Sequence, residues 1–116
     1  MKSWSLQAKV KVNLSDKQQR HVKFWRKFLR LTRGRVPVLR TLEVVAGEEN
    51  NEEFRVIICS IKDAMDQGTA MSQALRKYPA EFSSSVVELV GMAEKSGAWD
   101  EILHEIVDGL LEGTFE

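Results

Sequence analysis

Apolar residues recur at steps of three and four along most of the chain, and this spacing predicts a series of amphipathic helices. The first helix should begin after the capping-box sequence SDKQ, in which Ser15 is the N-cap and Gln18 reaches back to its amide. We expect Gly34 to end this helix. Its predicted buried face consists of Val22, Trp25, Phe28, Leu29 and Thr32.

The second and third helices are predicted from similar runs. The second has Pro37 in its first turn and is closed by Gly47, and its expected buried positions are Leu39, Leu42, Val45 and Ala46. The third follows the acidic turn EENNEE and ends on Gly68. Its expected buried positions are Phe54, Ile57, Ile58, Ile61 and Met65.

Three more helices complete the pattern. The fourth covers residues 69–78 and stops before Pro79, because the residue preceding a proline disfavours helical backbone. The fifth has a serine cap and buries Val86, Val87, Leu89, Val90 and Ala93. The sixth starts near Trp99 and buries Ile102, Leu103, Ile106, Val107 and Leu110.

These elements predict an all-α fold, a six-helix bundle of antiparallel helices joined by short loops. With 116 residues, 43% of them hydrophobic, the chain can bury one modest core. We expect a helical domain at residues 15–112, a flexible or strand-like arm at residues 1–14, and a C-terminal tail at residues 113–116.

Charge is balanced overall but unevenly distributed. The 17 basic and 17 acidic residues cancel, which argues against a general nucleic-acid binder. Residues 1–58 nevertheless carry a net charge of +7 and residues 59–116 a net charge of −7. A chain polarised in this way can attract a second copy of itself or partners of either sign.

Residues suited to catalysis or metal binding are present, but their context favours structural roles. Cys59 lies on an apolar helical stripe, where a lone thiol usually acts as a small hydrophobe. The carboxylates Asp100 and Glu101 fall in a predicted first helical turn, where negative charge is favoured. His104 has Asp100 and Asp108 one turn away on either side, but ligands in one row on one helix rarely converge on an ion. We therefore predict no enzyme, no cofactor and no metal site.

The first predicted helix is a candidate interaction surface. Cations recur along it with Phe24 and Trp25 between them, a pattern also typical of membrane-surface helices. The candidate partner-binding residues are Arg20, Lys23, Arg26, Lys27, Arg30 and Arg33. This face could bind an acidic partner protein or anionic lipid headgroups, whereas base-specific DNA reading is not favoured.

The order and spacing of several motifs resemble the cytoplasmic domain of the type II secretion system F family. The matching stretches are LSDKQQRHVKFWRKFLRLTRGRVPVLRTLEVVA, MDQGTAMSQALRKYPAEF and VVELVGMAEKSGAWDEIL, which together cover about residues 13 to 110. The residues that carry the resemblance include Gly34, Pro37, Gly68, Pro79, Phe82, Glu94, Ser96, Gly97, Asp100 and Leu103.

The last part of this motif predicts a tight helix hairpin. Gly97 is expected to take the left-handed conformation that ends the fifth helix, and Ser96 to bind loose backbone groups. We expect Glu94 to reach the amides that open the sixth helix. Ala70 replaces a residue that often caps the fourth helix in the family, so Thr69 or Ser72 is expected to supply that cap.

The resemblance implies a non-enzymatic scaffold at the cytoplasmic face of the bacterial inner membrane. It also implies binding to the assembly ATPase and other inner-membrane machinery proteins, and assembly as a homo-oligomer. Family members carry transmembrane helices and a second copy of this domain, so contact with the membrane would come from segments outside this chain. We expect either an excised N-terminal domain or a free-standing relative. The alternative interpretation is a helical adaptor or membrane-surface module that acts through the basic first helix.

Overall fold

Six helices account for most of residues 14–115, the part of the chain that the computed structural model describes. They are α1 (Asp16–Arg33), α2 (Val38–Glu48), α3 (Glu52–Asp66), α4 (Met71–Arg76), α5 (Ser84–Ser96) and α6 (Trp99–Glu112). No strand occurs within residues 14–115, which confirms the all-α prediction. Apart from Leu14, the predicted arm lies outside the described residues, as does residue 116 of the predicted tail.

Local side-chain caps begin three of the helices. At α1 the predicted capping box is present, with the Gln18 N–H donating to Ser15 Oγ at 3.1 Å and the Ser15 N–H donating to Gln18 Oε1 at 2.8 Å. Asn51 Oδ1 accepts from the Phe54 N–H at 2.9 Å, and Ser83 Oγ caps α5 in the same way. Each cap satisfies an amide that has no partner inside its helix.

Helix α1 ends at Gly34, its C-cap, as predicted. The φ of Gly34 is −77°, however, and the positive φ of 67° belongs to Arg35. The Arg35 N–H donates to the Thr32 carbonyl at 2.9 Å and the Val36 N–H to the Leu31 carbonyl at 3.0 Å. These two bonds form a Schellman motif, and they place the left-handed position one residue after the glycine.

Helix α2 also differs from the prediction in three respects. Pro37 is the N-cap rather than a residue of the first turn, and Gly47 lies inside the helix, which continues to Glu48. Leu39 was expected in the core but is 36% exposed, whereas Thr41 is fully buried. At about 100° per residue, Leu39 lies roughly 90° around the helix from the centre of the buried stripe, at its edge.

Helix α4 is shorter than the predicted 69–78 element. It spans Met71–Arg76, and its N-cap residue Ala70 makes no side-chain cap hydrogen bond. The expectation that Thr69 or Ser72 supplies the cap is therefore wrong. After Arg76 the chain tightens into a turn, in which the N–H groups of Lys77 and Tyr78 donate to carbonyls only three residues back.

Contacts between successive helices, together with contacts between α1 and α6, enclose one hydrophobic core. The aromatic part of the core lies on α1 and its neighbours, with the Phe24 and Trp25 rings 4.8 Å apart and the Trp25 and Phe82 rings 6.5 Å apart. Full burial of each such side chain contributes about 1.5–3 kcal/mol before entropic costs are subtracted. This core fixes one face of α1 inside the protein and leaves its basic face outside.

Candidate functional site

Glu94 binds the start of α4 rather than the start of α6. Its Oε1 accepts a hydrogen bond from Ser72 Oγ at 2.6 Å, and its Oε2 accepts one from the Ser72 backbone N–H at 3.2 Å. Ser72 is the second residue of α4, whose first amides have no partner within the helix. The predicted contact with α6 is thus wrong, and Glu94 instead caps α4 from α5 and holds the two helices together.

The turn between α5 and α6 has the predicted backbone. Gly97 has a φ of 79°, in the left-handed region that favours glycine, and its N–H donates to the Ala93 carbonyl at 2.8 Å. Ser96 Oγ accepts from the Ala98 N–H at 3.1 Å. These contacts allow α6 to begin at Trp99, immediately after the turn.

Asp100 connects the motif to the end of α1. Arg33 Nε donates to Asp100 Oδ1 at 2.8 Å, and Arg33 Nη2 donates to His104 Nε2 at 3.2 Å. The opposite ring nitrogen of His104 donates to the Asp100 carbonyl at 3.0 Å. Because these groups are about half exposed, the ion pair contributes little stability, but it joins residues that are 67 positions apart.

The other motif residues have positions typical of folding determinants. Gly68 has a φ of 101° at the end of α3, and the side chains of Phe82 and Leu103 are buried in the core. Pro79 lies inside a turn in which the Glu81 and Phe82 N–H groups both donate to the Tyr78 carbonyl. The structure does not gather the motif into one cleft, because its members are distributed over several helix ends.

Sequence reasoning missed a polar cluster between α1 and the 79–83 turn. His21 is buried, and its Nε2 donates to Glu81 Oε2 at 2.7 Å, while Arg20 Nη2 donates to the same oxygen at 3.1 Å. Lys17 Nζ donates to the Ala80 carbonyl at 2.6 Å. The His21 ring also packs against Phe54 and Phe82, with centroids 4.9 and 5.2 Å away. No local sequence signal marks this cluster, since its partners are about 60 residues apart.

Burial sets the protonation of this cluster. Burial, together with the nearby positive charges of Lys17 and Arg20, lowers the pKa of His21 more strongly than the hydrogen bond and negative charge of Glu81 raise it. For Glu81, burial acts to raise the pKa, but the hydrogen bonds from His21 and Arg20 outweigh burial and lower it. The folded protein therefore favours a neutral His21 that donates to an ionised Glu81.

The six candidate partner-binding residues fall into two groups. Arg20, Lys27 and Arg33 form ion pairs with Glu81, Glu48 and Asp100, respectively. The other three, Lys23, Arg26 and Arg30, are exposed and form no ion pair with any of residues 14–115. The second group is thus the part of the basic helix that remains available to bind another molecule.

These three cations line a groove with a volume of about 400 Å³. We call it the α1 groove, and Gln19 and Lys27 also line it. Its apolar lining comes from Leu14, Val22 and Leu111, the last of which lies on α6. The groove therefore combines positive charge with apolar surface.

The remaining candidates for chemistry are dispersed. Cys59 is half-buried on α3, and the acidic residues Asp100 and Glu101 lie in the first turn of α6, as expected. Within residues 14–115 no three His, Cys, Asp or Glu side chains are arranged to hold a metal ion. None of the helices between Leu14 and Phe115 combines the length and the apolar character needed to cross a membrane.

Comparison with known proteins gives a consistent set of relatives. The family model for the type II secretion system (T2SS), protein F, matches residues 24–113. The type IV pilus assembly protein PilC of Myxococcus xanthus is 28% identical over 83 residues, which are 72% of this chain and 20% of that protein. TapC of Aeromonas hydrophila, also a type IV pilus assembly protein, is 32% identical over 71 residues, or 61% of this chain and 17% of its own length.

A relative named for type II secretion also matches most of this chain and a small part of its own length. The type II secretion system protein F of Vibrio cholerae is 25% identical over 83 residues, which are 72% of this chain and 20% of that protein. The chain thus spans about a fifth of the length of the curated relatives it matches. Because the family model covers nearly the entire helical domain, the chain belongs to the type II secretion system protein F family.

Proposed function

We propose that this chain is a non-enzymatic scaffold domain of a secretion or pilus assembly platform, at the cytoplasmic face of the inner membrane. In this role it binds the assembly ATPase and other proteins of the machinery. The main support is the family match over residues 24–113, together with relatives named for type IV pilus assembly and type II secretion.

The contacts of the motif acids support a scaffold over an enzyme. Glu94 binds Ser72, and Asp100 binds Arg33, so both acids are engaged in holding helices together. The α1 cations that form no ion pair within residues 14–115, Lys23, Arg26 and Arg30, are suited to docking. A scaffold needs such a surface on a rigid support, and the packed core beneath α1 provides that support.

A pull-down assay tests this proposal. The domain is immobilised and exposed separately to the purified assembly ATPase and to the cytosolic domains of the other machinery proteins. We expect saturable retention of the ATPase at near-physiological salt. Failure of every machinery protein to bind, with a folded domain on the resin, would contradict the proposal.

Self-association is part of the same proposal. The two halves of the sequence carry net charges of opposite sign, so a positive surface on one copy can bind a negative surface on another. Sedimentation at rising protein concentration should show a homo-oligomer that dissociates as salt screens the charges. A monomer at all concentrations would exclude this part of the proposal.

A second candidate function is a helical adaptor or membrane-surface module. It is favoured by one observation, the three exposed cations on α1 that pair with no acid in residues 14–115. Co-sedimentation with phosphatidylglycerol vesicles distinguishes it, because this function requires salt-sensitive vesicle binding by the domain alone. Under the scaffold proposal, vesicles bind weakly and the ATPase binds well.

A further inference from the structure

We infer that the α1 groove binds an acidic amphipathic helix of a partner protein. This inference rests on the proposed scaffold function and assigns its docking surface. The partner helix would place carboxylates against Lys23, Arg26 and Arg30 and an apolar side chain between them.

The charge of the groove selects an acidic partner. Within the described residues 14–115, no acidic residue lines the groove, whereas Lys23, Arg26, Lys27 and Arg30 all line it. The positive field of these cations also acts on Glu48, which pairs with Lys27 at 2.9 Å. The hydrogen bond and charge of Lys27, with smaller contributions from Arg30 and Lys23, lower the pKa of Glu48. A carboxylate brought into the groove would meet the same field.

The spacing and shape of the groove fit a helix. Lys23, Arg26 and Arg30 follow each other at steps of three and four, so they share one face of α1 over about 10 Å. A partner helix with acids and apolar residues at the same steps would match that face.

Other occupants fit the groove less well. Residues 1–13 of the chain contain three lysines and no acid, so like charges oppose their binding there. A membrane surface could meet the cations, but it would leave the concave apolar lining from Leu14, Val22 and Leu111 unfilled. A second copy could present its exposed α6 acids, Glu101, Glu105, Asp108 and Glu112, and the experiment separates this case.

The test uses fluorescent overlapping peptides, each long enough for about five helical turns, that cover the assembly ATPase and the cytosolic segments of the other machinery proteins. Fluorescence anisotropy measures their binding to the full chain. A triple variant with Lys23, Arg26 and Arg30 each changed to Glu reverses the charge of the groove. A second variant, Gln19→Trp, fills the groove without changing its charge.

A matched control reverses three exposed cations elsewhere. In this control each of three exposed residues is changed to Glu: Arg76 on α4, Lys77 in the turn after α4, and Lys95 on α5. The change in net charge is the same as in the groove reversal. Thermal unfolding confirms that all variants are folded. Binding of intact ATPase to the wild-type chain is measured in parallel, so that failure of the groove assignment can be told from failure of the scaffold function.

The inference predicts that the tightest peptides are acidic and amphipathic. The groove reversal should weaken them on the order of 100-fold, because like charges then oppose each other, while the control reversal changes binding only a fewfold. Gln19→Trp should also weaken them. The inference is overturned if the groove reversal leaves the binding of these peptides unchanged, or if only basic or non-amphipathic peptides bind. It is also overturned if the reversal instead abolishes vesicle binding or dissociates a homo-oligomer. Failure of the wild-type chain to bind the ATPase or any other machinery protein would overturn the scaffold proposal and the groove inference together.

Discussion

Replacing Glu94 with Gln tests whether this motif acid stabilises the fold through α4. In the wild-type protein both carboxylate oxygens accept hydrogen bonds from Ser72, at 2.6 Å from Oγ and 3.2 Å from the backbone N–H. Gln keeps one acceptor oxygen but places an NH₂ group toward the other donor. The substitution therefore removes the charge and one of the two hydrogen bonds.

The size of the loss follows from these two contacts. Hydrogen bonds to charged groups contribute about 1.5–3 kcal/mol and neutral ones about 0.5–1.5 kcal/mol. Loss of a negative charge near a helix N-terminus adds about 0.3–1 kcal/mol. We expect Glu94→Gln to lower the free energy of unfolding by about 1.5 kcal/mol, which for a domain of this size is a fall in Tm of about 5–10 °C.

Urea unfolding followed by circular dichroism measures this loss, with Glu88→Gln as the control. Glu88 lies on the same helix and is exposed, so its substitution should change stability by less than about 0.5 kcal/mol. Combining Glu94→Gln with Ser72→Ala should cost about 1 kcal/mol less than the sum of the single changes, because both remove one interaction. Equal effects of Glu94→Gln and Glu88→Gln, or strict additivity with Ser72→Ala, would show that the contact between Glu94 and Ser72 does not stabilise the fold.

Three further stability predictions follow. Arg35→Gly should raise the free energy of unfolding by about 0.5–1 kcal/mol in urea titrations, because the φ of 67° strains any residue with a Cβ; an unchanged or lower value would contradict this. Gly97→Ala should lower Tm by several degrees, because an alanine is strained at a φ of 79°. Gly47→Ala lies inside α2 with nothing within 4 Å of the new methyl group, so it should raise Tm, and shifts of the same sign in the two variants would contradict this prediction. Since the pKa of His21 is lowered in the folded state, the unfolded chain takes up a proton more readily below about pH 6.5, so stability should fall as pH drops below that value. A His21→Asn variant should be less stable overall but should lose less stability between about pH 7.5 and 5.5, and an equal loss would exclude His21 as the cause.

Local sequence signals predicted the helices well because their causes are local. The Ser15 and Gln18 capping box involves residues three positions apart, and the apolar steps of α5 and α6 match their buried faces. The left-handed Gly97 is likewise a property of one residue and its turn. Such features depend on neighbours in the chain, which a single sequence displays directly.

Local sequence signals did not predict the contacts between distant segments. Glu94 could be recognised as an unusual acid near a helix C-terminus, but its partner Ser72 is 22 residues away. Nothing near His21 in the sequence indicates Glu81. Leu39 shows a related limit, since its place at the edge of the buried stripe depends on how α2 packs against its neighbours.

The charges of α1 also needed the structure for their interpretation. The sequence grouped six cations into one candidate surface, whereas three of them form ion pairs within the protein. Arg20 and Arg33 contact segments more than 60 residues away, so substitutions there would disturb the fold as well as any interface. Lys23, Arg26 and Arg30 are the positions at which binding can be tested with least disturbance of the fold.

Isothermal titration of this chain with the assembly ATPase of its own machinery tests the scaffold account most directly. We expect saturable binding that weakens when salt is raised from about 50 to 300 mM, because exposed cations contribute to the interface. If no complex forms at both salt concentrations, with both proteins folded, the proposed binding of the ATPase is contradicted.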